Sequence, residues 1–449
     1  MIKSIKFGGT SMGSAESILK CVSIIKSKLN QRDNIVITVS AVGGVTNKLL
    51  SIIQGKYDIK NIKDSINNLS GTHVHILNAI ISDKKTQKDI WNKSFASIFH
   101  EIELICVEND KITDKLTAQI CSYGEKLSSL LIFYALSKKG VKCCTVASGK
   151  MIKTNDNYLD ASVNFGTTNT LVNHEIRDLF SNNTIPIITG FIGQNSRGDT
   201  TLLGRGGSDY TAAVMAYALQ AEVLEIWTDV DGVMSTDPNI CSKAYSLKQL
   251  DSKLMLEMSC NGAKVLDYKS VLLALKRNIS IYIYNTFNQE FEGSCISNSA
   301  KIDEKKIVSI TSSPKKTIVH LELPQSITKI KSILTKHNIT TKFSISSESG
   351  MYFTLENNQC SEKIQKELDE LSNLSSYQDE VIQICIIGDK IGNNSGIIEN
   401  VFNIINSLEI CLYLTHITPN NISIFVNYKN KKTVIQQLHN FLEKNNAIN

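Results

Sequence analysis

Five short apolar runs constrain the fold of this chain most: SIKF (4–7), NIVITVS (34–40), IPIITGF (185–191), VLEIWTD (223–229) and ISIYIYN (279–285). They are nearly continuous in apolar residues, where a strand with one wet face would alternate. Strands of that kind are covered on both sides, so helices must flank a mostly parallel sheet. The segments between them support this, because most have amphipathic helical spacing. Residues 50–130 carry no strong strand pattern and read as a helical part of the same domain.

A polar stretch, ISNSAKIDEKK (296–306), reads as a linker. Two β-α-β-β-α cycles follow it. The first has strand 317–323, helix 327–337, strands near 340–346 and 350–356, and helix 361–372. The second has strand 381–388, helix 395–408, strands 411–416 and 421–426, and helix 431–443. The helix 395–408 places Ile397, Ile398, Val401, Phe402, Ile405 and Leu408 on one stripe. Two such units in tandem form an internal repeat. Few acid–base groups cluster in this half, which suits a binding module. The expected domains are 1–300, 308–380 and 381–449.

Bulk properties exclude several classes. The net charge of +5 is spread along the chain, so no nucleic-acid surface is expected. No apolar run approaches the ~18 residues of a membrane span, and no signal-peptide core opens the chain. Eleven scattered cysteines without CxxC suit reduced thiols in a cytoplasmic protein. The eight histidines show no metal-binding spacing, so no built-in metal is expected.

The strand ends carry the chemistry. KFGGTS (6–11) sets one lysine before two glycines, whose backbone N–H groups can approach an anion; a plain tight turn reads equally well. GRGGSDYTA (204–212) interleaves three glycines with Arg205 and opens a helix, for which Ser208 or Asp209 is a natural N-cap. A cap needs no such glycines, whereas a guanidinium at a helix N-terminus clamps carboxylate or phosphate. WTDVDGVMSTDPN (227–239) follows a strand on the edge where open α/β sheets bind ligands. NGAKVLD (261–267) offers Lys264, SAVGGVTNKLL (40–50) offers Thr46, and CSYGEKLSS (121–129) offers Glu125. By itself Lys264 reads as a surface lysine and Glu125 as a solvated glutamate. Two lysines, an arginine and glycine-rich loops together call for an anionic ligand, and ATP with a carboxylate substrate fits.

In this order and spacing, KFGGTS, GRGGSDYTA, WTDVDGV and GAKVL resemble the aspartate kinases of the amino-acid kinase family. The single-function, lysine-sensitive type looks closest, since the chain stops where a fused homoserine dehydrogenase would begin. The resemblance covers nearly the whole chain and implies an amino-acid kinase fold followed by two ferredoxin-like ACT domains. It implies ATP with Mg²⁺ carried by the nucleotide, and transfer of the γ-phosphoryl group to the β-carboxylate of L-aspartate. That reaction opens the route to the aspartate-derived amino acids. Lys6, Phe7, Gly8 and Gly9 would line the ATP phosphates, with Lys264 and Val265 opposite them. Thr228, Asp229, Met234 and Asn239 would hold the nucleoside. Thr46, Glu125, Arg205, Gly206, Gly207 and Ser208 would hold aspartate, with Arg205 on its α-carboxylate and Glu125 near its ammonium. Asp209 would organise the lysines. A homodimer through the ACT domains and an amino-acid effector are also implied. The alternatives are a different amino-acid kinase and a non-catalytic amino-acid sensor.

Several positions depart from the family pattern. Met234 stands where tyrosine is common and Asn239 where arginine is common, while Asp267 and Tyr268 replace the usual His-Pro. At the expected effector site, Lys342 occupies the place of a carboxylate, with Ser346, Ser347 and Glu348 nearby. A cation facing a cationic ligand costs several kcal/mol relative to a carboxylate, so lysine feedback is expected to be weak or absent.

Overall fold

The structure, a computed structural model, describes every residue except 30–32, 55–58, 110, 301–305, 323–325, 338, 340, 342, 349, 357–358, 373 and 448–449. The chain forms two compact units. The first contains residues 1–233, 246–256 and 265–300, and the second residues 234–245, 257–264 and 301–449.

In the first unit the strands are β1 (Ile2–Phe7), β2 (Asn34–Val39), β3 (Cys143–Val146), β4 (Ile185–Thr189), β5 (Ile192–Gln194), β6 (Thr200–Leu202), β7 (Val223–Thr228), β8 (Gln249–Asp251), β9 (Ser280–Asn285) and β10 (Ser294–Ser297). Eight of them form one sheet in the order β3-β4-β2-β1-β7-β9-β10-β8, parallel throughout except for β9 against β10. The five apolar runs are five of these strands. Ile5, Val36, Ile37, Ile187, Leu224, Ile226 and Ile283 are almost completely buried, as coverage on both faces requires.

The helices are α1 (Ala15–Leu29), α2 (Val45–Gln54), α3 (Ile59–Ile80), α4 (Lys84–Ile90), α5 (Ala96–Glu108), α6 (Asp114–Lys138), α7 (Phe165–Ser181), α8 (Gly207–Leu219), α9 (Ser252–Cys260) and α10 (Tyr268–Arg277). The described residues between 50 and 130 are helical as expected, and Ile66, Leu69, Leu77, Phe95, Phe99, Ile102, Leu127 and Leu131 join one core with β1 and β2.

In the second unit one seven-stranded sheet joins both cycles. Its elements are β11 (Ile307–Ser312), β12 (Lys316–Glu322), α11 (Ile327–Lys336), β13 (Ser344–Ser347), β14 (Gly350–Glu356), α12 (Glu362–Asp369), β15 (Leu374–Gly388), α13 (Ser395–Ser407), β16 (Leu412–Thr418), β17 (Asn421–Asn427) and α14 (Lys431–Ala447). The strands run β13-β14-β12-β15-β17-β16, with β11 on the C-terminal half of β15. Both β-α-β-β-α cycles are present, but β15 is twice the expected length. Its polar first half pairs with β12 and its apolar second half with β17 and β11. The boundary expected at 308 therefore shifts, because β11 completes the second cycle. The first cycle is inserted between β11 and the end of β15. The centre of the expected linker, 301–305, lies outside the described residues.

The expected continuous domain 1–300 is also interrupted. Segment 234–245 folds with the second unit through Ile310 N–H donating to the Ser235 carbonyl (2.8 Å) and Gln436 Nε2 to the Ile240 carbonyl (3.0 Å). A bond of 2.9 Å joins Ser235 Oγ to buried His439 Nε2. Thr311 Oγ1 donates to the Asn261 carbonyl at 2.8 Å and ties in segment 257–264.

Candidate active site

The C-terminal ends of β1, β2, β4 and β7 meet where the parallel sheet opens, the edge at which such sheets bind ligands. A cavity of about 370 Å³ opens there. Lys6 and Gly9 come from the end of β1, and Gly43, Gly44, Thr46 and Asn47 from β2 into α2. Glu125 comes from the middle of α6, Phe191 from the end of β4, and Gly204–Asp209 from the loop into α8. Every expected substrate residue lines this one cavity: Thr46, Glu125, Arg205, Gly206, Gly207 and Ser208.

Lys6 is nearly buried, and its ammonium lies 2.5 Å from Asp209 Oδ1. It curls over Gly8, where a Cβ would stand 3.5 Å from Nζ. Asp209 occupies the first turn of α8, where the helix dipole favours a carboxylate. Neither Ser208 nor Asp209 is the N-cap, contrary to expectation. Gly206 caps the helix with φ +69°, so the helix begins at Gly207 and both side chains fall inside its first turn. Glycine adopts that left-handed conformation without strain. The turn presents Arg205 outward, exposed and with no carboxylate partner among the described residues.

Glu125 is not the solvated residue its helix suggests. It is 3 % exposed because its part of α6 is packed inside the first unit. Its Oε1 accepts the Ala41 N–H at 3.2 Å, and Oε2 has no partner among the described residues. Burial pushes its carboxyl up to about 8, with the Ala41 bond pulling weakly the other way. A buried carboxyl with one unmet oxygen facing a cavity can accept a substrate ammonium.

The Phe7 side chain is fully buried and stacks on Trp227, and Phe7 is not among the residues that line the cavity. Gly8 donates to the Trp227 carbonyl at 2.9 Å, which fixes the β1 turn. Asp229 accepts hydrogen bonds from Thr10 and Thr228, both 3.2 Å. Met234, Asn239 and Lys264 belong to the second unit; there Asn239 caps onto Asp237, and Lys264, largely exposed, lies 3.9 Å from Asp237. Val265 belongs to the first unit. Ser346 and Glu348 are exposed around β13, and Lys342 lies outside the described residues.

Sequence reasoning did not select Phe191, Asn47 or Ser40, which also line the cavity. Phe191 has φ +69°, and its ring packs where a Cβ on Gly207 would stand. Such a conformation outside glycine is strained. The available signal was its place directly after an apolar strand.

A lysine turn, a guanidinium loop at a helix N-terminus and a buried acid line one cleft, an arrangement suited to phosphoryl transfer. Residues 1–285 match the amino acid kinase family, and the chain belongs to that family. An aspartokinase of Rickettsia felis is 28% identical over 447 residues, with 98% of each chain covered. An aspartokinase of Rickettsia bellii is 30% identical over 74% of this chain and 70% of its own length. The crystal structure of Escherichia coli aspartokinase III in complex with aspartate and ADP superimposes with a TM-score of 0.87 at 23% identity, covering 98% of this chain and 99% of that one. That likeness spans both units, so the fold is that of a kinase domain with ACT modules. Within the family the chain groups with the aspartokinases and is an enzyme of that kind. Among the described residues no helix is long and apolar enough to cross a membrane.

Proposed function

We infer that the enzyme transfers the γ-phosphoryl group of Mg-ATP to the β-carboxylate of L-aspartate, giving 4-phospho-L-aspartate. The carrying observation is one cavity that joins Lys6, Arg205 and buried Glu125. Arg205 suits the α-carboxylate, Glu125 the ammonium, and Thr46 and Ser208 the remaining polar contacts. The nucleophile needs no general base, since a carboxylate with pKa near ~3.9 is already ionised at neutral pH. The work left is to bring two anions together and neutralise charge during an in-line transfer. Lys6, tethered by Asp209, and the glycine N–H groups supply it.

By their motifs, Gly8, Gly9, Thr228, Asp229, Met234, Asn239 and Val265 serve the nucleotide and Lys264 is the second phosphate lysine. The same reading includes a homodimer through the ACT modules, a cytoplasmic location and a first step toward the aspartate-derived amino acids. It also includes weak feedback by lysine.

The test traps the acyl phosphate as a hydroxamate with Mg-ATP, aspartate and hydroxylamine. Aspartate-dependent product is expected, with kcat falling at least ~10²-fold in Lys6→Ala. Product with glutamate but not aspartate would move the reading to another amino-acid kinase. No product at all, with amino acids still binding, would make the chain a sensor.

A further inference from the structure

The loop that carries Arg205 lies between two side-chain carboxylates that the reaction does not use. The α-carbon of Gly204 lies against Asp160, so a Cβ there would overlap that carboxylate. Gly206 lies against Asp267, whose Cβ is 2.5 Å from where a Cβ of the glycine would stand. The base of the loop is fixed to the segment at Asp160 by an isolated bridge between Asp160 and Leu203 and by Ala161 N–H donating to the Leu202 carbonyl at 2.8 Å. Asp160 and Asp267 therefore flank Arg205 one residue away on either side. A guanidinium so placed has two carboxylates of its own chain within reach of its stem, besides any carboxylate of a ligand.

One residue engages both. Lys269 Nζ donates to Asp160 Oδ1 at 2.7 Å and to the Leu203 carbonyl at 3.4 Å, and its backbone N–H donates to Asp267 Oδ2 at 2.9 Å. Its ammonium also lies 5.7 Å from the centre of the Tyr210 ring. Lys269 is one-quarter exposed, so the pair is sheltered on the lysine side. Among the described residues it is the cation paired with Asp160, while Arg205 is paired with neither acid.

We propose that Lys269 is a positioning residue for the substrate carboxylate. Its ammonium occupies Asp160 and holds the Leu203 carbonyl, so that Arg205 is kept free for the ligand. This rests on the reading that Arg205 receives a carboxylate of aspartate. Without the ammonium, the Asp160 carboxylate competes with substrate for the guanidinium at the mouth of the site. The chemistry predicts an effect on substrate affinity and none on phosphoryl transfer, because Lys269 lines no part of the cavity.

The experiment measures aspartate KM, ATP KM and kcat by hydroxamate trapping in full-length wild type, Lys269→Met, Lys269→Gln, Lys269→Arg, Asp160→Asn and Asp160→Asn/Lys269→Met. Removing the charge is expected to raise aspartate KM about 5- to 10-fold, with ATP KM and kcat nearly unchanged. Lys269→Arg should keep the wild-type value. The double variant should return aspartate KM to within about twofold of wild type, because the competing carboxylate is gone. Lys269→Gln keeps hydrogen bonding and most of the volume, and serves if Lys269→Met fails to fold. An unmoved aspartate KM in the charge-removing variants overturns the proposal, as does a double variant no better than Lys269→Met, which would mark a packing role. No aspartate-dependent product from wild type overturns the substrate reading as well; product from wild type with an unmoved variant overturns this inference alone.

Discussion

The sharpest prediction concerns the protonation of Glu125. Burial raises its carboxyl from an ordinary glutamate value of 4.5 to about 8, so the free enzyme holds it largely neutral at pH 7. A substrate ammonium needs the ionised form, and its arrival stabilises that form. For the free enzyme kcat/KM then follows the ionised fraction of Glu125. It should fall as pH drops below 8, approaching about tenfold per unit between pH 7 and 6. Glu125→Gln keeps the shape and the Ala41 bond but cannot ionise. Its kcat/KM for aspartate should be flat over the same range and about 10²-fold below the wild-type plateau, the cost of a lost charged hydrogen bond. Stability supplies a second readout of known sign. The folded state holds a proton between pH 4.5 and about 8 that the unfolded state has released. Stability from this group is therefore present below pH 4.5 and is lost as pH rises to 8, by at most about 5 kcal/mol. Thermal midpoints from pH 5 to 8 should fall more in wild type than in Glu125→Gln. The assay is hydroxamate trapping across that range with ATP saturating. A wild-type profile flat between pH 6 and 8, or a Glu125→Gln enzyme with wild-type aspartate KM, would refute the reasoning.

Two other perturbations test different parts of the molecule. A methyl on Gly190 would stand 2.7 Å from both Ser208 Oγ and the Val39 carbonyl. Gly190→Ala should therefore lower stability by about 1–3 kcal/mol and displace Ser208, read as a lower thermal midpoint and a raised aspartate KM. Lysine added to the assay should leave activity nearly flat through the low-millimolar range. Strong inhibition below 1 mM on the order expected of a carboxylate-lined site would show that Lys342 does not repel the effector.

The sheet was legible because continuous β-branched runs leave few alternatives, and the lysine turn because Lys6 and its glycines lie where such a sheet opens. What stayed hidden was set by distant contacts. Most of helix α6 is buried, and its pattern does not show that Glu125 faces a cavity and not water. The N-cap was misplaced because serine and aspartate are good caps in isolation, whereas Gly206 in a left-handed turn starts the helix earlier. The length of β15 was missed because LSSYQDE looks polar; its partner β12 supports it along an otherwise wet segment. The pairing of β11 with β15 joins residues about 75 apart and leaves no local trace. The same holds for segments 234–245 and 257–264, whose partners Ile310, Thr311, Gln436 and His439 all come from far along the chain.

On the proposed reading, the pairing of Lys6 with Asp209 explains why a site for two anions contains a carboxylate of its own. Asp209 holds the ammonium over the Gly8 turn. The first turn of α8 in turn offsets part of the charge on Asp209. On the proposed reading, a phosphate meets an ammonium that this ion pair already holds in place. Reorganisation at the moment of transfer is therefore small, and preorganised charge of this kind is the larger part of catalysis where the nucleophile is already ionised.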